Sequence, residues 1–83
     1  MDRTMPVNLD HDEDARAELY GMSQREAAEA YGCGSRTAAL LIAYARAITA
    51  AQRRRIAGNV DAAIRFERCA ERWYEQLPAS ARW

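Results

Sequence analysis

Arg36-Thr37-Ala38-Ala39-Leu40-Leu41-Ile42-Ala43-Tyr44-Ala45-Arg46-Ala47-Ile48-Thr49-Ala50-Ala51-Gln52-Arg53-Arg54-Arg55-Ile56-Ala57 decides the fold. Alanine recurs throughout, and it is the strongest helix former because it loses no side-chain entropy. Ala38, Leu41, Ala45 and Ile48 fall on one helical stripe. Leu40, Tyr44, Ala47 and Ala51 fall on a second. The spacing predicts a helix over 36–57, about 33 Å long at 1.5 Å per residue, stopped by Gly58. Its middle is apolar nearly all round, which implies burial on more than one side. Such a helix is central to a bundle, or also forms an oligomer interface.

Three shorter helices are predicted around it. Residues 1–9 lack periodicity, contain Pro6 and read as a flexible N-terminal arm to a single domain over 10–83. Asp10 reads as an N-cap with Glu13 as its capping-box partner. The helix that follows covers 11–20, carries Ala15, Leu19 and Tyr20 inward against Leu9, and ends on a left-handed Gly21. Ser23 and Glu26 form a second capping box, for a helix over 24–31 bearing Ala27, Ala28, Ala30 and Tyr31. Gly32 stops it, and Ser35 caps the long helix. Asn59 caps a last helix over 60–76, with Pro78 just past its end. Val60, Ala63, Phe66, Ala70, Trp73 and Leu77 form its core stripe, widened by Ile64 and Cys69. Asp61–Arg65 and Arg68–Glu71 have helical spacing for surface pairs. The fold class is therefore all-α: a compact, mainly antiparallel four-helix bundle with the third helix central.

The 83 residues suffice for one domain, and a chain of this length buries only about 60–65% of its unfolded surface. Hydrophobic content is 49%, and all 12 basic residues are arginine. Formal net charge is zero, so no global field steers the protein toward nucleic acid or membrane. The distribution is uneven. Residues 1–30 carry Asp2, Asp10, Asp12, Glu13, Asp14, Glu18, Glu26 and Glu29 against Arg3, Arg16 and Arg25. Residues 31–60 carry no acid, but hold Arg36, Arg46, Arg53, Arg54 and Arg55. An acidic third before a basic third points to internal pairing or a head-to-tail partner. The acidic start does not read as a secretory signal, and the apolar run from Ala38 to Ala51, broken by Arg46, is too short to span a bilayer. A cytoplasmic, reducing setting is expected, in a bacterial or phage-infected cell, with no membrane partner.

No catalytic, cofactor or metal site is expected, and the chain is not read as an enzyme. His11 sits within Asp10-His11-Asp12-Glu13-Asp14, where the acids complement a helix dipole; neighbours on one turn diverge and cannot wrap one ion. Cys33 and Cys69 lack metal-ligand spacing and read as two small buried hydrophobes. Ser23 and Ser35 read as caps, and Ser80 has no histidine at a suggestive spacing. Gly32-Cys33-Gly34-Ser35 lacks the lysine and preceding strand of a phosphate loop.

One segment, Ser23-Gln24-Arg25-Glu26-Ala27-Ala28-Glu29-Ala30-Tyr31-Gly32-Cys33-Gly34-Ser35-Arg36-Thr37-Ala38, resembles the helix-turn-helix superfamily of DNA-binding proteins. Ala28 matches the small residue at the helix crossing, Gly32 the turn glycine and Cys33 the small apolar residue after it. Ala38 and Leu41 match buried positions of the recognition helix. The resemblance implies that Ser35, Arg36 and Thr37 face DNA, that Arg25 touches phosphate, and that Arg53, Arg54 and Arg55 add backbone contacts in a homodimer. It also turns Ala39, Leu40 and Ala43 toward the groove, where apolar side chains meet only a thymine methyl.

Two functions follow as expectations. The first is a small helix-turn-helix-like DNA-binding regulator, encoded by a phage or mobile element, dimerising through the third helix. The second is a helical protein–protein interaction module or inhibitor, similar in size to small phage-encoded inhibitors such as anti-CRISPR proteins. Its binding residues would be Asp10, Asp12, Glu13, Asp14 and Trp83, engaging a protein with a basic surface.

Overall fold

A computed structural model describes residues 5–83. The chain forms α1 (Glu13–Gly21), α2 (Gln24–Tyr31), α3 (Ser35–Ile56) and α4 (Val60–Gln76), followed by a 3-10 turn at Ala79–Ala81. Among the described residues there is no strand, and no helix is long and apolar enough to cross a membrane.

α3 is the hub. α1, α2 and α4 all pack against it, while α1 and α2 scarcely touch each other. Ala38, Leu41 and Ala45 are completely buried, and Leu40, Ile42, Tyr44, Ala47 and Ala51 are nearly so. Both stripes of α3 are thus largely covered within the chain, with Ile48 half-buried. α4 runs antiparallel to α3: Tyr44 meets Tyr74, and Arg55 meets Glu67 nearer the connecting turn. The turn closes where Asn59 N–H donates to Arg54 O at 2.8 Å and Gly58 takes φ +82°. Asn59 Oδ1 accepts from Ala62 N–H at 3.2 Å and caps α4.

Several expectations need correction. The arm predicted over 1–9 lies outside the described residues for 1–4. Of the remainder, Val7 and Leu9 are core residues at 7% and 0% exposure, so this stretch belongs to the packed domain. α1 starts later than predicted because Asn8 takes over the local bonding. Asn8 O accepts from Asp12 N–H at 2.9 Å and Asn8 Oδ1 from Asp10 N–H at 3.0 Å. Asp12, not Asp10, is the cap, with Oδ1 accepting from Ala15 N–H at 2.9 Å. Gly21 is the last residue of α1, and the chain leaves through an extended Met22 rather than a left-handed glycine. Ser35 is the first residue of α3, and the cap position falls to Gly34.

The inward stripe of α4 is narrower than predicted. Ala63, Ala70 and Leu77 are buried and Phe66 and Ile64 half-buried, but Val60 and Cys69 are exposed and Trp73 lies at the surface. Only α3 covers this helix extensively, so a single face of it is dry. Tyr74, rather than Trp73, turns inward.

Candidate nucleic-acid interface

The α2–α3 unit is built from local bonds. Ser23 Oγ accepts from Glu26 N–H at 3.1 Å, and Glu26 Oε1 accepts in return from Ser23 N–H at 3.3 Å. α2 ends on Gly32 at φ +61° and ψ 37°, with Cys33 N–H donating back to Ala28 O at 3.1 Å. The left-handed glycine reverses the chain within two residues and delivers the start of α3 beside the start of α2. There Gln24 Nε2 donates to Ser35 O at 2.8 Å and to Ser35 Oγ at 2.6 Å. Gln24 therefore braces the two helix starts, a role its position in the sequence did not disclose.

The start of α3 differs electrostatically from the other three. α1, α2 and α4 each have a side-chain cap and an acid in the first turn. α3 has neither. Its first N–H groups and the positive end of its dipole are thus met by no side-chain cap and no acid of its first turn. Ser35 and Arg36 are exposed there and Thr37 is half-buried. Arg36 has no ion-pair partner among the described residues. Arg25 stands one element away, 91% exposed, at 3.6 Å from Glu29, itself 73% exposed. Such an exposed pair constrains neither partner.

The arginines at the other end of α3 are divided. Arg53 lies over the Tyr20 ring, 5.5 Å from its centroid, and Arg55 pairs with Glu67 of α4. Arg54 alone is exposed and unpaired among the described residues. Arg46 donates to Tyr20 O at 3.2–3.3 Å. Tyr20 thus ties α1 to the basic helix through two arginines. Among the described residues, no ion pair joins the acidic first third to the basic middle third. Leu40 is 7% exposed and packs in the core instead of facing outward, whereas Ala39 and Ala43 are half-buried.

The acidic residues of the interaction reading also separate. Asp10 Oδ1 accepts from Tyr44 Oη–H, and Oδ2 from Trp83 Nε1–H at 3.0 Å. Trp83 is half-buried, edge-on to Tyr44 and Tyr74 with centroids at 4.9 and 4.7 Å. Burial, followed by the bond to Asp10, pushes the Tyr44 phenol well above its ordinary value. Asp10 and Asp12 thus serve the fold, while Glu13 and Asp14 remain exposed. Cys33 is half-buried and Cys69 exposed, both free thiols, so the expectation of two buried cysteines fails for Cys69. Burial raises the Cys33 thiol. Among the described residues no group of three His, Cys, Asp or Glu side chains is placed to hold a metal ion.

Comparison with known protein families, with curated proteins and with solved structures finds no match to this chain.

Proposed function

We propose that the protein binds duplex DNA, with the start of α3 as its contact. One observation carries the reading: of the four α-helices among the described residues, α3 alone begins without a side-chain cap or an acid, and Arg36 there has no ion-pair partner among those residues. Exposed N–H groups at the positive end of a helix dipole are suited to a phosphate oxygen. A guanidinium beside them has the planar fork that matches phosphate or a guanine edge. The Gln24 brace to Ser35 fixes α2 against this point, so Arg25 approaches the same strand. Arg54, unpaired among the described residues, supplies a further cation along α3. Ser35, Arg36 and Thr37 are the residues placed to reach base edges. Arg53 and Arg55, being engaged within the chain, are expected to contribute little. Regulation of a nearby gene is the biological role this activity would serve.

Anisotropy of a labelled mixed-sequence duplex tests the reading. With about three phosphate contacts, counterion release lowers affinity roughly 40-fold between about 50 and about 200 mM salt. Arg36→Ala is expected to weaken binding about tenfold or more and to flatten the salt slope by about one unit. Arg55→Ala is expected to leave both unchanged. Absence of binding at low salt, or equal loss from Arg36→Ala and Arg55→Ala, would remove the assignment.

A further inference from the structure

A cavity of about 400 Å³ opens where α4 meets the turn before α1 and the segment after the 3-10 turn. Asp10, Tyr44, Glu71, Tyr74, Glu75 and Trp83 line it. The wall chemistry is one-sided: three carboxylates, three aromatic rings and no cation. Its size lies within the range of ligand sites, about 300–1,000 Å³. Asp10 is held in place by Tyr44 and Trp83, one donating to each carboxylate oxygen. The side-chain carboxylates of Glu71 and Glu75 have no hydrogen-bond or ion-pair partner among the described residues. They stand one turn apart on α4, adjacent on one helix face. Arg68 was expected to pair with Glu71, yet no such pair forms.

The rings add to the same preference. Their faces carry the negative part of the quadrupole and attract cations. The molecule already contains an instance at the rim. Arg82 lies over the Tyr74 ring, 5.9 Å from its centroid. Its donors go to the backbone oxygens of Leu77 and Glu75, at 3.0 and 2.6 Å. Arg82 therefore forms no ion pair with the lining carboxylates among the described residues. A planar guanidinium can stack on a ring and fork to carboxylate oxygens at once, and it is less strongly hydrated than an ammonium.

We propose that this cavity binds the side chain of an arginine supplied by another polypeptide. The site is separate from the start of α3, and its test involves no DNA.

Trp83 is the reporter. Trp73→Phe leaves it the sole tryptophan. In that background, Nα-acetyl-arginine amide is expected to shift Trp83 emission saturably, with a Kd of roughly millimolar order. Nα-acetyl-citrulline amide has the same shape without the charge and is expected to give no saturable shift. Nα-acetyl-lysine amide is expected to bind several-fold more weakly than arginine. The exposed pair Glu71→Gln/Glu75→Gln should lower arginine affinity about tenfold while circular dichroism stays that of the parent. No saturation with arginine, equal binding of citrulline or lysine, or an unchanged affinity in the double variant would overturn the proposal. Sedimentation identifies the donor. A monomer that binds the arginine probe places the donor on a different protein. A dimer dissolved by the probe and by the double variant places it on a second copy, where Arg54 is exposed.

Discussion

Tyr44 lies 6% exposed on α3, with its hydroxyl donating to Asp10, whose second oxygen accepts from the Trp83 indole. Burial and the carboxylate both favour the neutral phenol, so its ionisation is raised in the folded state. An unfolded tyrosine ionises near pH 10. Stability from this group is therefore complete below about pH 10 and is lost as pH rises toward the higher folded value. The urea midpoint is expected to fall above about pH 10, and Tyr44→Phe should lower it at neutral pH but flatten the alkaline decline. Identical alkaline slopes would assign the decline to other groups. None of this network is legible in the sequence, because Asp10 is 34 residues from Tyr44 and 73 from Trp83. An acid just ahead of a predicted helix reads locally as a cap, and no local pattern announces a distant partner. Arg16 is a parallel case. It is 4% exposed and donates to Leu9 O at 2.7 Å and Asp10 O at 3.0 Å, a role hidden behind an ordinary surface charge.

At the scale of elements, what was legible was what is local. Ser23 with Glu26, Gly32, and Asn59 with α4 all act within a few residues of themselves, and each occupies its expected place. The exposed Ser35 and Arg36 could be located for the same reason. The Gln24 brace could not, since it depends on how the turn returns α3 to α2. Gly32 shows how local the turn's requirement is. Its φ is +61°, and a Cβ built there would meet no atom within 4 Å. Any cost of a side chain is then conformational, not steric crowding by neighbours. Gly32→Ala is expected to destabilise by about 1–2 kcal/mol, the penalty of a left-handed L-residue. Gly32→Asn should cost less, because asparagine tolerates that region. Chemical denaturation of the two variants distinguishes this account from a packing role, for which asparagine, the larger, would cost more. A turn weakened in this way also loosens the position of Arg36, so DNA affinity should fall with alanine and recover with asparagine.

At the scale of the whole molecule, every helix depends on α3. α1 and α2 barely contact each other, so neither has a core without the long helix. The residues before α1 also reach the far end of the chain through Asp10 and Trp83. α4 lies antiparallel along α3, and its Tyr74 hydroxyl donates to Trp83 O. With α3 shared by every helix contact, the molecule is expected to unfold as one unit. Leu41 is completely buried in the middle of the hub. Leu41→Ala is expected to destabilise by roughly 3 kcal/mol, combining lost transfer energy with an unfilled cavity. The more telling result is the shape of the transition. Far-UV circular dichroism reports all four helices, whereas the tryptophans lie on α4 and in the segment after it, and their emission reports the packing of that region on α3 and Asp10. If α3 is the hub, the two midpoints coincide in the wild type and move together in Leu41→Ala. Separate midpoints, with helicity lost before the tryptophan signal, would mean that α1 and α2 detach first. The start of α3 would then be held by a part of the fold that opens independently of α4.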